Sequence, residues 1–330
     1  MEKSVYNKKT NNYKKPSDST YSLKAELQEI TAKLETGTKA LFQSENYKHY
    51  LDVLSKFHDY SFNNILLISA QCPEATHVAG YTDWKVKFNR QVKKGEKGIR
   101  ILAPTLYKVD KEMPVRDEAT GKPLFNKDGT PKTEVYKVEI KSFKPVSVFD
   151  ISQTHGEELP EITHKLTGEV DNYKQFISAI SKASPVPIRY YDIKGSANGY
   201  YNIDKKYIAI QKGMSEQQTI KTAIHEVSHS VLHDKDTGLD NKIDLKSMEV
   251  EAESVAYTVC QHYGIDSSDY SFGYIAGWSS GKDLKELTKC METIRDTANM
   301  LITDIDKHFL AKSNTLDKVS EQIQEKGLER

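Results

Sequence analysis

Residues 223–233 read AIHEVSHSVLH, and the reading of this stretch decides what kind of fold surrounds it. His225, Glu226 and His229 form the pattern HExxH, which in a chain of this length arises by chance roughly once in forty sequences. The flanking residues supply the rest of the argument. Ser215 stands three positions before Gln218, the spacing of a capping box that satisfies the first free amides of a helix. At 100° per residue, Ile220, Ala223, Ile224, Val227 and Val231 share one arc, and His225, Glu226 and His229 fall on the other side. A helix here buries its apolar side and presents both imidazoles to a cleft. Histidines at i and i+4 lie one above the other, close enough to share one ion through ring nitrogens at about 2.0–2.1 Å.

A catalytic zinc of this type needs a third protein ligand and an open position. His233 lies eight residues beyond His225, which puts it about 12 Å further along the axis, so a surface or supporting role is expected for it. The better source is SMEVEAESVAYTVCQHYG, residues 247–264, a second helical pattern. Glu249 falls in one arc with Ala252, Ala256, Cys260 and Tyr263, whereas Glu251 points near the opposite face. A carboxylate on an apolar, inward stripe is costly when unpaired, and a metal removes that cost. His225, His229 and Glu249 are therefore the expected ligands of one Zn2+ per chain. Glu226 is the expected catalytic base, and Glu253 an expected hydrogen-bond partner of a ligating histidine. The alternative for Glu249 and Glu253 is a solvated helix edge. Tyr257 and His262 are candidates for stabilising an oxyanion, and the strand KKYIAIQ, residues 205–211, for pairing with a peptide substrate. Calcium is excluded for the loop that begins DKDTG, because its twelfth position is Leu245.

The N-terminal half carries a different signal. Residues 1–150 hold 26 Lys and Arg against 19 Asp and Glu, while the remainder holds 21 against 28, so the first half is the one able to attract a polyanion. Between Tyr81 and Arg100 stand Lys85, Lys87, Arg90, Lys93, Lys94, Lys97 and Arg100 against Asp83 and Glu96. Trp84 and Phe88 are interleaved, with Tyr60, Phe62 and Tyr81 nearby. Cations that follow phosphates while rings stack on unpaired bases bind single strands without sequence preference. A solvated hairpin over an aromatic core has the same composition.

The rest of the chain bounds these readings. Its 330 residues suffice for two domains, and no apolar run approaches the roughly 18 residues needed to span a bilayer. The polar N-terminus lacks the apolar segment of a signal peptide, and the three cysteines, Cys72, Cys260 and Cys290, form no CxxC pair. A cytoplasmic protein without a disulfide framework is expected, with no membrane partner. Helical pattern runs from Ser22 to Gln71, followed by strands at IRILAP and EVYKVEIKSFKPVSVFDIS around a charged hairpin tip at 110–133. A helix at QFISAISKA and strands at PIRYYDI and KKYIAIQ precede the motif helix, and the last 45 or so residues are helical before fraying into a charged tail. The expected fold is α+β. It comprises a tail at 1–20, an α+β domain at 21–155, a mainly helical domain with a small antiparallel sheet at 165–310, and a tail at 311–330.

The stretch YSFNNILLISAQCPEATHVAGYTDWKVKFNRQVKKGEKGIRILAP with the later VFDISQT resembles the N-terminal single-stranded-DNA-binding domain of the ArdC antirestriction family of conjugative elements. TAIHEVSHSVLH with EVEAESVAYTVC is similar to the zinc metallopeptidase domain of that family, and also to the ImmA/IrrE group, whose third ligand is a glutamate in an ExxA-type helix. The resemblance implies a gluzincin-like centre with ligands His225, His229 and Glu249 and catalytic Glu226. It also implies binding of single-stranded DNA, more weakly of double-stranded DNA, and protection of incoming DNA from restriction. Two alternatives accompany it: a DNA-binding protection protein whose zinc is structural, and a regulatory protease that cleaves a repressor. A restriction endonuclease or a repressor is then the expected protein substrate.

Overall fold

The computed structural model describes residues 18–117, 120–159, 170–234, 244–267 and 269–327. The helical pattern of the first 71 residues is three helices: α1 (Asp18–Leu41), α2 (Ser44–Lys56) and α3 (Phe62–Gln71). Ser61 starts the third by accepting a hydrogen bond from the Asn64 amide at 3.4 Å, as an N-cap serine does. There follow β1 (Val78–Gly80), α4 (Tyr81–Val86), β2 (Arg90–Val92), β3 (Ile99–Pro114), β4 (Thr133–Asp150), a 3-10 turn and β5 (Thr154–Gly156). The second half contains α5 (Val170–Ala183), β6 (Ile188–Tyr191), β7 (Gly199–Asn202), β8 (Tyr207–Gln211), α6 (Glu216–Leu232), α7 (Leu245–His262), α8 (Ile275–Ser279) and α9 (Leu284–Gly327). Helices and strands are mixed throughout, an α+β protein. Among the described residues no helix is long and apolar enough to cross a membrane.

Two compact units are distinguished by their internal contacts, one from residues within 1–33 and 102–146, the other from 34–101 and 147–330. The helices between residues 34 and 71 thus share a unit with the HExxH helix, a grouping that no local pattern in the sequence announces. In the smaller unit the outer parts of β3 and β4 form a solvated ribbon. At its end the Val115 amide donates to the Lys132 carbonyl and the Leu124 amide to the Val115 carbonyl, both at 2.8 Å. The strands extend further into the 110–133 segment than a hairpin tip would, and residues 118–119 lie outside the described set. The N-terminal tail expected at 1–20 lies almost wholly outside it as well. At the C-terminus, α9 continues as far as Gly327 through the segment expected to fray.

In the larger unit, β1 pairs with β4 from Val78↔Asp150 to Gly80↔Val148, and β2 pairs with β5, both antiparallel. Trp84 is buried beneath α4 and donates its indole N–H to the Phe149 carbonyl at 2.8 Å. The second sheet has the order β6-β8-β7. Its central strand pairs parallel with β6 and antiparallel with β7, so it is a mixed sheet where an antiparallel one was expected. Ile208, Ala209 and Ile210 are consecutive and all buried. That unbroken apolar run suits a strand covered on both faces, with α6 against one of them. The helices α2, α6, α8 and α9 all pack on α7.

Asp150 locks the corner where β4 ends. It accepts from the amides of Thr76 (2.8 Å), His77 (3.1 Å) and Ser152 (2.9 Å), while Gln153 accepts from its own amide at 3.0 Å. Burial alone would raise this carboxyl, but the hydrogen bonds from Ser152, Thr76 and His77 outweigh it and hold it below the usual range. A folded-state pKa below the unfolded value gives stability that is complete above the unfolded pKa of about 4 and is lost as pH falls. Asp150→Ala should therefore cost about 2–3 kcal/mol at neutral pH. The gap between mutant and wild type in urea unfolding should narrow at pH 3; a gap independent of pH would remove the carboxylate from this role.

Candidate metal centre

The helix α6 begins as its sequence implies at one side of the cap only. Ser215 Oγ accepts from the Gln218 amide at 3.2 Å, but the Gln218 side chain turns forward to Thr222 at 3.3 Å, so the box is half closed. Ile220, Ala223, Ile224 and Val227 are buried, which leaves His225 in the wall of a cleft of about 290 Å³ and His229 one turn beyond it on the same side of the helix. The helix comes close to the sheet because β7 starts with Gly199. A Cβ there would stand 2.7 Å from Thr222 Cγ2, 2.9 Å from the Ala209 carbonyl and 3.2 Å from Glu226 Cγ. The peptide N–H of Tyr201 on the same strand is hydrogen-bonded to the Glu226 carboxyl.

His225, His229 and Glu249 each offer one ligand atom, and these atoms all lie within 4.8 Å of one another. The two Nε2 atoms are 3.1 Å apart, and the Glu249 oxygens stand 3.6 Å from His225 Nε2 and 3.5 Å from His229 Nε2. Tetrahedral ligands about 2.0–2.1 Å from an ion are about 3.4 Å from each other. The residues thus fit a divalent metal, and three protein donors leave a fourth position open to the cleft. Burial first, and then the neighbouring His229, push the His225 imidazole down to about 4, which favours the neutral form that binds metal. The contact with His229 holds Glu249 below the ordinary carboxylate range, so the carboxylate that a metal needs is favoured. Glu226 is itself buried, and burial pushes its carboxyl up to about 7.

The face arithmetic for α7 chose the expected ligand for the wrong reason. The Glu249 side chain is 62% exposed at the rim of the cleft, and Glu251, expected on the far face, is 8% exposed and paired with His233. With α2, α6, α8 and α9 packed on it, α7 has no solvent face opposite Ala256, and a helix buried nearly all round cannot be oriented by one apolar arc. Glu253 does not hydrogen-bond a ligating histidine; it accepts from the Tyr274 hydroxyl, in a neighbouring pocket that Glu249 also lines. Tyr257 and His262 are not at the centre either. Tyr257 donates to Asp52 at 2.6 Å, and His262 Nδ1 lies 2.8 Å from the Ser55 carbonyl, so both bind α7 to α2. The strand β8 has a neighbour on each side, so KKYIAIQ offers no edge, and the edge strand by the cleft is β7. Sequence reasoning also missed Lys221, one turn before His225, whose ammonium pairs with Asp269 in the cleft.

The eleven residues expected to contact DNA divide by burial. Phe62 and Trp84 are core residues, each 1% exposed, and cannot stack on bases. Tyr60 is half-buried, with its hydroxyl 3.4 Å from the Val78 carbonyl. Arg90 is held by Thr154 and Glu157, Lys93 by the Ser152 carbonyl, Lys87 by Asp83 and Arg100 by Ser147. Tyr81, Lys85, Lys94 and Lys97 are exposed.

A two-histidine, one-carboxylate cluster on adjacent helices, with a buried glutamate beside it, marks an α+β protein with residues that could hold a divalent metal. Residues 23–149 match the family described as the N-terminal domain of anti-restriction factor ArdC. A Bacillus anthracis protein described as uncharacterized is 30% identical over 329 residues, covering 91% of this chain and 54% of its own length. The chain thus spans about half the length of that relative. Two crystal structures of the antirestriction ArdC protein from plasmid R388 are also similar. The metal-free one has a TM-score of 0.44 at 21% identity, covering 75% of this chain and 86% of its own. The Mn(II)-bound one has a TM-score of 0.42 at 20% identity, covering 74% and 85%.

Removing a ligand and removing a cleft residue should separate cleanly. Glu249→Ala should lower bound divalent metal from about one ion per chain to near none at micromolar free metal, while Glu253→Ala keeps it. Metal content measured by atomic spectroscopy after gel filtration checks this, and an empty Glu253→Ala would reverse the assignment.

Proposed function

We propose that this chain is an antirestriction protein that binds single-stranded DNA, and double-stranded DNA more weakly, and that carries a zinc metallopeptidase centre. The observation that carries the reading is the convergence of His225, His229 and Glu249 beside the buried carboxyl of Glu226. The match of residues 23–149 to the ArdC N-terminal domain supports the antirestriction half. The exposed Lys85, Lys94 and Lys97 with the ring of Tyr81 support the nucleic-acid half, since cations and one open ring are what a single strand requires. In this reading the protein acts in the cytoplasm on the incoming DNA of a mobile element.

Two imidazoles and one carboxylate suit zinc, which when bound supplies a Lewis acid and a water of lowered pKa. Glu226 takes up the proton released in hydrolysis and returns it to the leaving amine. Its burial gives the carboxyl a proton affinity suited to neutral pH, and the Tyr201 N–H holds it in place. A peptide substrate lies extended along β7, the edge strand whose Gly199 lines the cleft. Lys221, kept in the cleft by Asp269, offsets part of the negative charge of Glu226, Glu249 and Glu253.

The decisive experiment is nuclease protection of single- and double-stranded DNA by wild type and Glu226→Ala at matched metal content. Glu226→Ala should keep one metal per chain and lose peptide hydrolysis by roughly 10²-fold or more; retained hydrolysis would remove Glu226 from the mechanism. Equal protection by both proteins would assign protection to DNA binding alone. Loss of protection in the mutant would make the endonuclease the first substrate to examine.

A further inference from the structure

Behind the ligand pair, away from the cleft, lies a second row of polar groups. His229 Nδ1 is 2.9 Å from His233 Nδ1, and His233 Nε2 is 3.2 Å from Glu251 Oε2. The side chains of His233 and Glu251 are only 6% and 8% exposed. Glu251 also interacts with the thiol of Cys290 from α9, which burial first, and then the charge and hydrogen bond of Glu251, keep protonated. His233 meets His229 at the nitrogen that faces away from His225 and Glu249, so it is not a fourth ligand. We propose that Glu251 and His233 form a buried relay that fixes the proton of His229 on Nδ1, so that Nε2 is always presented to the metal as an electron pair.

The direction of each bond follows from the one before it. In the relay Glu251 is the acceptor, so His233 carries its proton on Nε2 and donates to it. In a neutral imidazole the other nitrogen is then an acceptor, so His233 Nδ1 receives a proton donated by His229 Nδ1. That leaves Nε2 of His229 without a proton, facing His225 Nε2 at 3.1 Å and Glu249 at 3.5 Å. With His233 replaced by an apolar side chain, the two tautomers of His229 lie close in energy and the ring loses the contact that holds its rotation. Both effects weaken the ligand without touching the cleft. His233 and Glu251 are positioning residues in this scheme, and the inference rests on the metal centre proposed above. Partners of this kind at known metal sites change affinity by roughly 10–100-fold.

The test uses the full chain and zinc alone, with the dissociation constant measured by competition with a chromophoric chelator. His233→Leu should weaken zinc roughly 10–100-fold. His233→Asn, whose Oδ1 takes the position of Nδ1 and accepts from His229, should recover most of that loss. Glu251→Gln should fall between them. A purely structural role would lower the metal-free Tm of the Leu and Asn variants alike without this order of affinities. Long-range proton–nitrogen NMR of the zinc-loaded wild type gives a second readout that needs no variant to fold. It should find His229 protonated on Nδ1 and His233 on Nε2. A proton on His233 Nδ1, or zinc affinity unchanged in His233→Leu, overturns the relay and leaves the centre standing. Wild type that takes up no zinc, or a His225→Ala variant that binds it as well as wild type, overturns the centre and the relay together.

Discussion

The position of α7 is the constraint on which the metal centre depends. A ligand from a second helix is useful only if that helix is fixed in rotation and along its axis to within a fraction of an ångström, because the Glu249 oxygens must meet two imidazoles on α6. Apolar packing alone is weak at fixing rotation, since Val, Ala and Ile surfaces slide over one another at small cost. Directional bonds do it better. Tyr47 and Ser254 share a hydrogen bond at 2.7 Å, Tyr257 donates to Asp52 at 2.6 Å, His262 meets the Ser55 carbonyl at 2.8 Å, and Tyr263 donates to Asp306 at 2.7 Å. Each of the three α2 contacts has at least one buried partner, Tyr47 and Ser254, Tyr257, and Ser55, where a broken bond costs most. The ligand from α7 is therefore held by helices on its other sides, one of them drawn from the first sixty residues of the chain.

That arrangement explains which features were legible in the sequence. Within α6 everything needed is local: a serine cap, an arc of Ile220, Ala223, Ile224 and Val227, and two histidines one turn apart. For α7 the same arithmetic identified Glu249 but inverted the environments of Glu249 and Glu251, because period alone says nothing about how many neighbours a helix has. The His233–Glu251 contact had a visible spacing on each helix, yet only the packing of α6 on α7 brings the two together. In the N-terminal half, composition marked aromatic and basic residues as one group and could not divide them. Trp84 and Phe62 are enclosed by their own unit, whereas Tyr81, two residues from Asp83 and three from Trp84, is more than half exposed. The strand β7 escaped notice because GYYN is too short to display alternation, and its leading glycine reads as a loop until Thr222 and Glu226 are seen pressed against it.

Charge gives the centre its remaining character. Without a cation, Glu226, Glu249 and Glu253 gather in and around one cleft, and the fold accommodates them by different means. Burial pushes Glu226 up to about 7, and Glu253, also raised by burial, takes a proton from Tyr274 as a hydrogen bond. Lys221 adds one positive charge but spends part of it on Asp269. A dication among His225, His229 and Glu249 changes the balance at a stroke, because it favours neutral imidazoles, an ionised Glu249 and a more acidic Glu226 at the same time. Neutral His225 and ionised Glu249 are already favoured in the metal-free protein, and only the acidity of Glu226 is opposed there, by burial, so the ion would meet a donor set that the fold has prepared. An ion that binds the folded state and not the unfolded one stabilises it by RT ln(1 + [L]/Kd). The cleft residues and the buried pair behind His229 thus act on the same equilibrium from opposite sides of the ring: one set supplies the negative charge that attracts the ion, the other holds the imidazole in the form that receives it.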